Sequence, residues 1–181
     1  MKKLISDQTL LLIIDVQEKL VPAMSGAANL VGRLVTLIKG IHLLNIPIIY
    51  TEQYPKGLGA TVPEIRDLLE KEVRCEKQSF SCCLNPDFNE TLKRCKRHQI
   101  LIGGIETHVC VFQTCLDLLA DGYAVYLVAD TVASRKESDS SLALRVLENG
   151  GVNLRSVEMV LFELLQTSRH EKFKDVSKLI K

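Results

Sequence analysis

The amino-acid sequence predicts an α/β fold in three layers, a mostly parallel β-sheet with helices on both faces. Short apolar runs alternate about six times with amphipathic helical patterns, the signature of repeated strand–helix units. The runs are near-continuous rather than alternating, as strands buried on both faces are. Right-handed crossovers then place helices above and below the sheet. The 181 residues are read as a single domain over 1–181, without internal repeat, low-complexity tract or linker.

The elements follow in order. Leu10–Ile14, closed by Asp15, is the first strand. Leu30, Leu34, Leu37, Ile38, Ile41 and Leu44 recur at helical spacing and make a long amphipathic helix. Ile46–Tyr50 is the second strand, entered through Pro47, and the Gly- and Pro-rich stretch from Thr51 to Thr61 is a loop. Pro63 opens a short helix to about Leu69, Val73–Lys77 is a third strand, and Pro86 opens a helix carrying Phe88, Leu92 and Cys95. Gln99–Ile102 is strand four, broken by Gly103 and Gly104, and Thr107–Ala120 is the next helix, ended by Gly122. Ala124–Ala129 is strand five with Asp130 at its end, 137–148 a helix, Asn153–Val157 strand six, and two short helical pieces finish the chain.

Composition excludes several functions. Apolar residues make up 46%, charged residues 25%, and the net charge is +1, which disfavours nucleic acid and anionic membranes as partners. The run Lys93, Arg94, Lys96, Arg97 falls at a helix C-terminus, where cations complement the dipole, and lacks the interleaved aromatics of a nucleic-acid site. Lys2 and Lys3 precede only five apolar residues, too few for a secretory signal or a membrane span. Six cysteines without a CxxC pair read as free thiols, so the expected compartment is the cytoplasm.

In sheets of this kind ligands bind beyond the carboxyl ends of the strands, where the strand order reverses. The polar residues at those ends are Asp15, Thr51 to Gln53, Lys77 and Asp130, while strand four delivers Cys110 in the first turn of its helix. There the dipole and free N–H groups favour a thiolate. If strands one and four are neighbours, Asp15 faces Cys110. The three side chains form a nucleophilic constellation. Asp15 takes and returns the thiol proton, Lys77 stabilises the charges, and the N–H groups of the 105–110 turn form an oxyanion hole. Taken singly each residue has a plainer reading: a strand cap, a solvated lysine, a small core cysteine. His108, two residues before Cys110, reads equally as a tuning group or a surface histidine.

The motifs LLIIDVQ at 11–17, EKQSFS at 76–81, GGIETHVCV at 103–111 and DGYAVYLVADTVAS at 121–134 resemble the isochorismatase-like cysteine hydrolases over nearly the whole chain. The resemblance implies a Rossmann-like six-stranded sheet, an Asp15–Lys77–Cys110 triad, and a cis peptide at Ile105–Glu106. It also implies an oxyanion hole from the N–H groups of Glu106 and Cys110, and a homo-oligomer. Metal-dependent members carry Asp-x-His where this chain has Glu52, Gln53 and Tyr54, so no metal and no cofactor are expected. Gln53, Tyr54, Phe80 and Thr107 are the expected pocket of the metal-free branch.

The expected function is hydrolysis of a small-molecule amide C–N bond through a thioester. The alternative is a non-catalytic oligomeric scaffold or ligand-binding protein that keeps the fold. Cys82 and Cys83 read first as buried or loop thiols, with a redox role beside Cys110 as a third alternative, and Cys75, Cys95 and Cys115 read as core fillers. The apolar segment Val157–Leu165 is a candidate subunit interface.

Overall fold

The computed structural model describes residues 3–180; Lys2, of the N-terminal pair, lies outside the described residues. Six strands form one sheet: β1 (Thr9–Ile14), β2 (Ile48–Gln53), β3 (Val73–Lys77), β4 (Gln99–Ile105), β5 (Ala124–Ala133) and β6 (Asn153–Arg155). Their order is β3-β2-β1-β4-β5-β6 and each pairing is parallel. The order reverses between β1 and β4, the crevice where open α/β sheets bind ligands.

The helices are α1 (Ala27–Leu43), the single turns α2 (Pro55–Leu58) and α3 (Pro63–Arg66), α4 (Pro86–Cys95), α5 (Phe112–Ala120), α6 (Glu137–Asn149), α7 (Val157–Leu165) and α8 (Phe173–Ile180). Because strand side chains alternate between faces, β1 feeds two cores. Leu11 and Ile13 pack with Leu34, Ile38 and Leu161 of α1 and α7. Leu10, Leu12 and Ile14 pack with Phe88, Cys115, Leu118 and Leu147 of α4, α5 and α6. All six β1 residues are buried, which accounts for the unbroken apolar run.

Several boundaries differ from the sequence reading. β2 starts after Pro47, which has no N–H to give, although its carbonyl accepts from Leu11 N at 3.0 Å. It continues to Gln53 because Glu52 and Gln53 pair with Glu76 and Lys77 of β3. β4 runs through both glycines to Ile105 instead of breaking. A Cβ on Gly104, at φ +121, would enter the Ile14 backbone, so this glycine permits a close approach of β4 to β1.

β5 also runs past its expected end, with a register shift that pairs Leu127 with Ile102 but Val132 with Gly104. Asp130 therefore sits within the strand. Its carboxylate binds the Arg33 guanidinium of α1 and accepts from Val157 N at 2.9 Å, a structural tie rather than part of the site. The expected helix Thr107–Ala120 is divided into a π-helical turn, Thr107–Val111, and α5. Val157–Leu165 is mostly interior, because Val157, Val160, Leu161, Leu164 and Leu165 fill the core; of its apolar residues Met159 and Phe162 alone are exposed. No helix among the described residues is long and apolar enough to cross a membrane.

Candidate active site

Asp15 follows the last residue of β1 in the left-handed region, at φ 53, and is completely buried. Aspartate is one of the few side-chain-bearing residues that enter this region readily. Thr51, adjacent in register to Ile14, donates its hydroxyl to Asp15 Oδ1 at 2.7 Å. Lys77, the last residue of β3, reaches across the end of β2 and donates to Asp15 Oδ2 at 2.6 Å. On the way it donates to Gln53 Oε1 at 2.8 Å, and Gln53 is its register partner. The carbonyls of Ser79 and Phe80 accept from the same ammonium at 3.2 and 3.1 Å.

Gln53 is itself held by Gln17. Gln53 N donates to Gln17 Oε1 at 2.7 Å, and Gln17 Nε2 donates to the Gln53 carbonyl at 3.0 Å. The Lys77 ammonium is thus surrounded by oxygen on several sides. Burial is the largest single influence and works to lower its pKa, but the Asp15 carboxylate and the Cys82 and Cys110 sulfurs together turn the net direction upward, so the cation is held.

Cys110 sits in the π-helical turn, 7% exposed, against this pair. Burial pushes its thiol up to about 12; the Asp15 carboxylate adds to the rise, and Lys77 opposes it. The sequence expectation of a dipole-stabilised thiolate is therefore reversed. A helix N-terminus is worth roughly 0.3–1 kcal/mol, less than one pKa unit, and cannot offset the desolvation of a buried anion. The resting sulfur carries its proton, and the neighbouring carboxylate is the group able to remove it.

The peptide Ile105–Glu106 is cis. The Glu106 carbonyl accepts from Val109 N and Val111 N at 3.1 and 3.2 Å, the amides on either side of Cys110. The Glu106 side chain turns outward to Arg135, accepting from its Nε at 2.9 Å. Thr107 is buried and accepts from Ser140 Oγ at 3.0 Å. Tyr54 and Phe80 are 48% and 55% exposed, on the loops that follow Gln53 and Lys77. His108 bonds Ser134 Oγ at 2.9 Å and lines, with Phe112, Leu142 and Val146, a shallow apolar cavity that Cys110 does not enter.

Glu52 is the first of the three residues that the sequence reading sets against an Asp-x-His metal motif. Its carboxylate is engaged by Thr61 N at 2.7 Å, Thr61 Oγ1 at 2.8 Å and Arg74 Nη1 at 3.3 Å. Among the described residues no group of His, Cys, Asp or Glu side chains is arranged to hold a metal ion. The structure brings Asp15, Lys77, Gln53 and Cys110 together and leaves Tyr54 and Phe80 at the margin. Thr51 and Gln17 were missed as site residues, although Thr51 is among the polar residues named at strand ends; only the register with β1 gives it a role.

The profile of the isochorismatase domain matches residues 9–159. The chain belongs to the isochorismatase family. It is 39% identical over 172 residues to isochorismatase domain-containing protein 2 of Danio rerio, spanning 95% of this chain and 86% of that one. Among solved structures it superposes on one described as MAR1 ribonuclease from Caenorhabditis elegans with a TM-score of 0.94 at 38% identity, over 99% of this chain and 92% of that one. It also superposes on Escherichia coli YcaC, described as an octameric hydrolase of unknown specificity, with a TM-score of 0.94 at 22% identity, over 99% and 90%. At that identity the likeness to YcaC is one of fold. This isochorismatase-family chain has the family's six-stranded parallel sheet flanked by helices.

Proposed function

We propose that this chain, as one domain over residues 1–181, is a small-molecule hydrolase that cleaves an amide C–N bond by cysteine nucleophilic catalysis. The observation that carries the reading is the buried contact of 2.6 Å between Lys77 Nζ and Asp15 Oδ2, with Cys110 packed against it. A base, a fixed cation and a thiol meet at the switch point of the sheet.

Asp15 takes the Cys110 proton as the sulfur attacks the carbonyl carbon. Charge developing on the carbonyl oxygen is met by the N–H groups of Glu106 and Cys110. The tetrahedral adduct collapses to a thioester, and Asp15 returns the proton to the departing amine. Asp15 then deprotonates a water that attacks the thioester, which releases the acid and restores the thiol. Lys77 keeps the Asp15 carboxylate oriented and paired through both half-reactions. No step calls for a metal or an organic cofactor.

Tyr54 and Phe80 line the substrate pocket, and Thr107, buried against Ser140, supports its wall. Gln53 joins them as the residue that positions Lys77, since its amide oxygen is bound by Lys77 and its amide nitrogen donates to the Gln78 carbonyl at 2.7 Å. The octameric state described for YcaC supports a homo-oligomer, and six free cysteines fit a reducing cytoplasm.

A panel of small amides and esters tests the reading, with wild type beside Cys110→Ala. Hydrolysis by wild type alone, with an acyl adduct on the Cys110 peptide by mass spectrometry, is the expected result. Equal turnover by both proteins would sink it. The ribonuclease name of the C. elegans neighbour adds a short RNA to the panel; RNA cleavage lost in Cys110→Ala, without amide hydrolysis, would replace the amide reading.

A further inference from the structure

A second thiol, Cys82, lies two residues beyond the Phe80 carbonyl that the Lys77 ammonium binds. Cys82 is completely buried at the start of the turn Cys82–Leu84, in the same core cluster as Cys110. Two hydrogen bonds pin its segment to the helix that follows Cys110. Cys82 N donates to Thr114 Oγ1 at 3.0 Å, and Ser81 Oγ donates to Asp117 Oδ2 at 2.5 Å. Thr114 lies four residues after Cys110, the spacing of side chains on one helical face. The loop leading to Cys82 is fixed at its other end, because the Ser79 and Phe80 carbonyls accept from Lys77.

Of the two vicinal cysteines, only Cys82 belongs to this group. Its neighbouring charges are Asp15 and Lys77, whereas those of Cys83 are Asp117 and Asp121. The catalytic scheme above does not use Cys82.

We propose that Cys82 is the resolving thiol for Cys110, so that a peroxide converts the two into a disulfide that switches the hydrolase off reversibly. Asp15 takes the Cys110 proton, and the sulfur attacks a peroxide oxygen. The S–O bond forms as the O–O bond breaks, and the departing oxygen leaves as water with the proton from Asp15. Cys110 is now a sulfenic acid, oxidised by two electrons, and the peroxide is reduced. The Cys82 proton then passes to Asp15, and the Cys82 sulfur attacks the Cys110 sulfur. The S–S bond forms, the S–O bond breaks, and the second water leaves. In sum, two thiols and one peroxide give one disulfide and two waters.

Burial, with the Asp15 carboxylate adding to it, holds both thiols up at about 12. Both therefore depend on the same carboxylate for activation, which orders the two steps. The proposal gives Cys82 a role at the site and Cys83 none, and both remain the buried or loop thiols that the sequence reads.

The inference rests on Cys110 being the reactive thiol of the proposed hydrolase, and the test separates the two. Iodoacetamide is first applied to the untreated protein and the labelled peptide mapped. Hydrogen peroxide is then added to fresh protein, followed by peptide mapping without reductant. The expected result is label on Cys110, then a mass loss of two hydrogens with a Cys82–Cys110 linked peptide, and return of Cys110 labelling after a thiol reductant. In Cys82→Ala and Cys82→Ser the hydrolase stays active, no link forms, and Cys110 proceeds to the sulfinic acid with loss that reductant does not restore. Labelled Cys110 with sulfinic acid but no link in wild type would overturn the resolving role alone. No label on Cys110 would overturn both the nucleophile and this inference.

Discussion

Lys77 Nζ donates to Asp15 Oδ2 at 2.6 Å, and both side chains are 1% exposed although they come from strands on either side of β2. Such a pair is bound into the fold as firmly as into the chemistry. Removing one member leaves a buried uncompensated charge, which costs roughly 3–5 kcal/mol. Lys77→Met is therefore expected to lower the unfolding free energy extracted from urea melts by about that amount and to abolish hydrolysis. A variant of wild-type stability would contradict the pairing.

Asp15→Asn separates the charge from the base. The Asp15 carboxylate is one of the influences that raise the Cys110 thiol, so its neutralisation should bring the Cys110 pKa down. Activity should nevertheless fall by about 10²–10⁴-fold, the usual worth of a positioned general base. The pH profile of Cys110 alkylation reads the first effect and turnover reads the second.

Gln53 and Thr51 hold the two partners in place. Gln53→Ala is expected to lower kcat by about 10- to 100-fold with little change in KM, since a displaced catalytic group loses rate on that scale. Thr51→Val leaves Asp15 Oδ1 without its 2.7 Å donor and should cost about 1–3 kcal/mol of stability in a denaturant melt.

Alkaline pH should unfold the protein early. Burial raises the Cys110, Cys82 and Cys115 thiols above the ordinary value of 9.0. Above that value the unfolded chain loses thiol protons that the native chain keeps, so stability is complete below it and falls as pH rises. The slope is about 1.4 kcal/mol per pH unit for each such thiol. Urea midpoints measured across this range should fall, and Cys115→Ala should make the decline shallower.

The glycines offer a paired test. Gly104→Ala would drive a Cβ into the Ile14 backbone at φ +121, and a loss of about 3 kcal/mol or more is expected. Gly32→Ala, in α1 with open space around it, should gain about 0.5–1 kcal/mol. Melting curves of both variants check the contrast.

Much of the fold was legible because burial on both faces leaves an unmistakable mark. β1 and α1 read directly as apolar runs and helical spacing, and β3 was placed to the residue. Asp15, Lys77 and Cys110 followed as groups at strand ends, and the structure brings them together. What failed depended on long-range pairing. Gly103 and Gly104 read as a strand break because local propensity does not reveal that β1 lies close beside them. Asp130 read as the residue that closes its strand because the register shift in β5 cannot be seen from sequence. The direction of the Cys110 shift was missed because the dipole argument counts a local field and omits the water that tertiary packing removes.

Gln53 and Lys77 end their strands buried or half-buried, while Tyr54 and Phe80, one and three residues further along the chain, stand about half in solvent. The ion pair is thus set in the core, while the aromatics stand outside it and make none of its side-chain contacts. Of the two, position 80 is the freer, because Tyr54 stands in the left-handed region at φ 38, where β-branched side chains are strained.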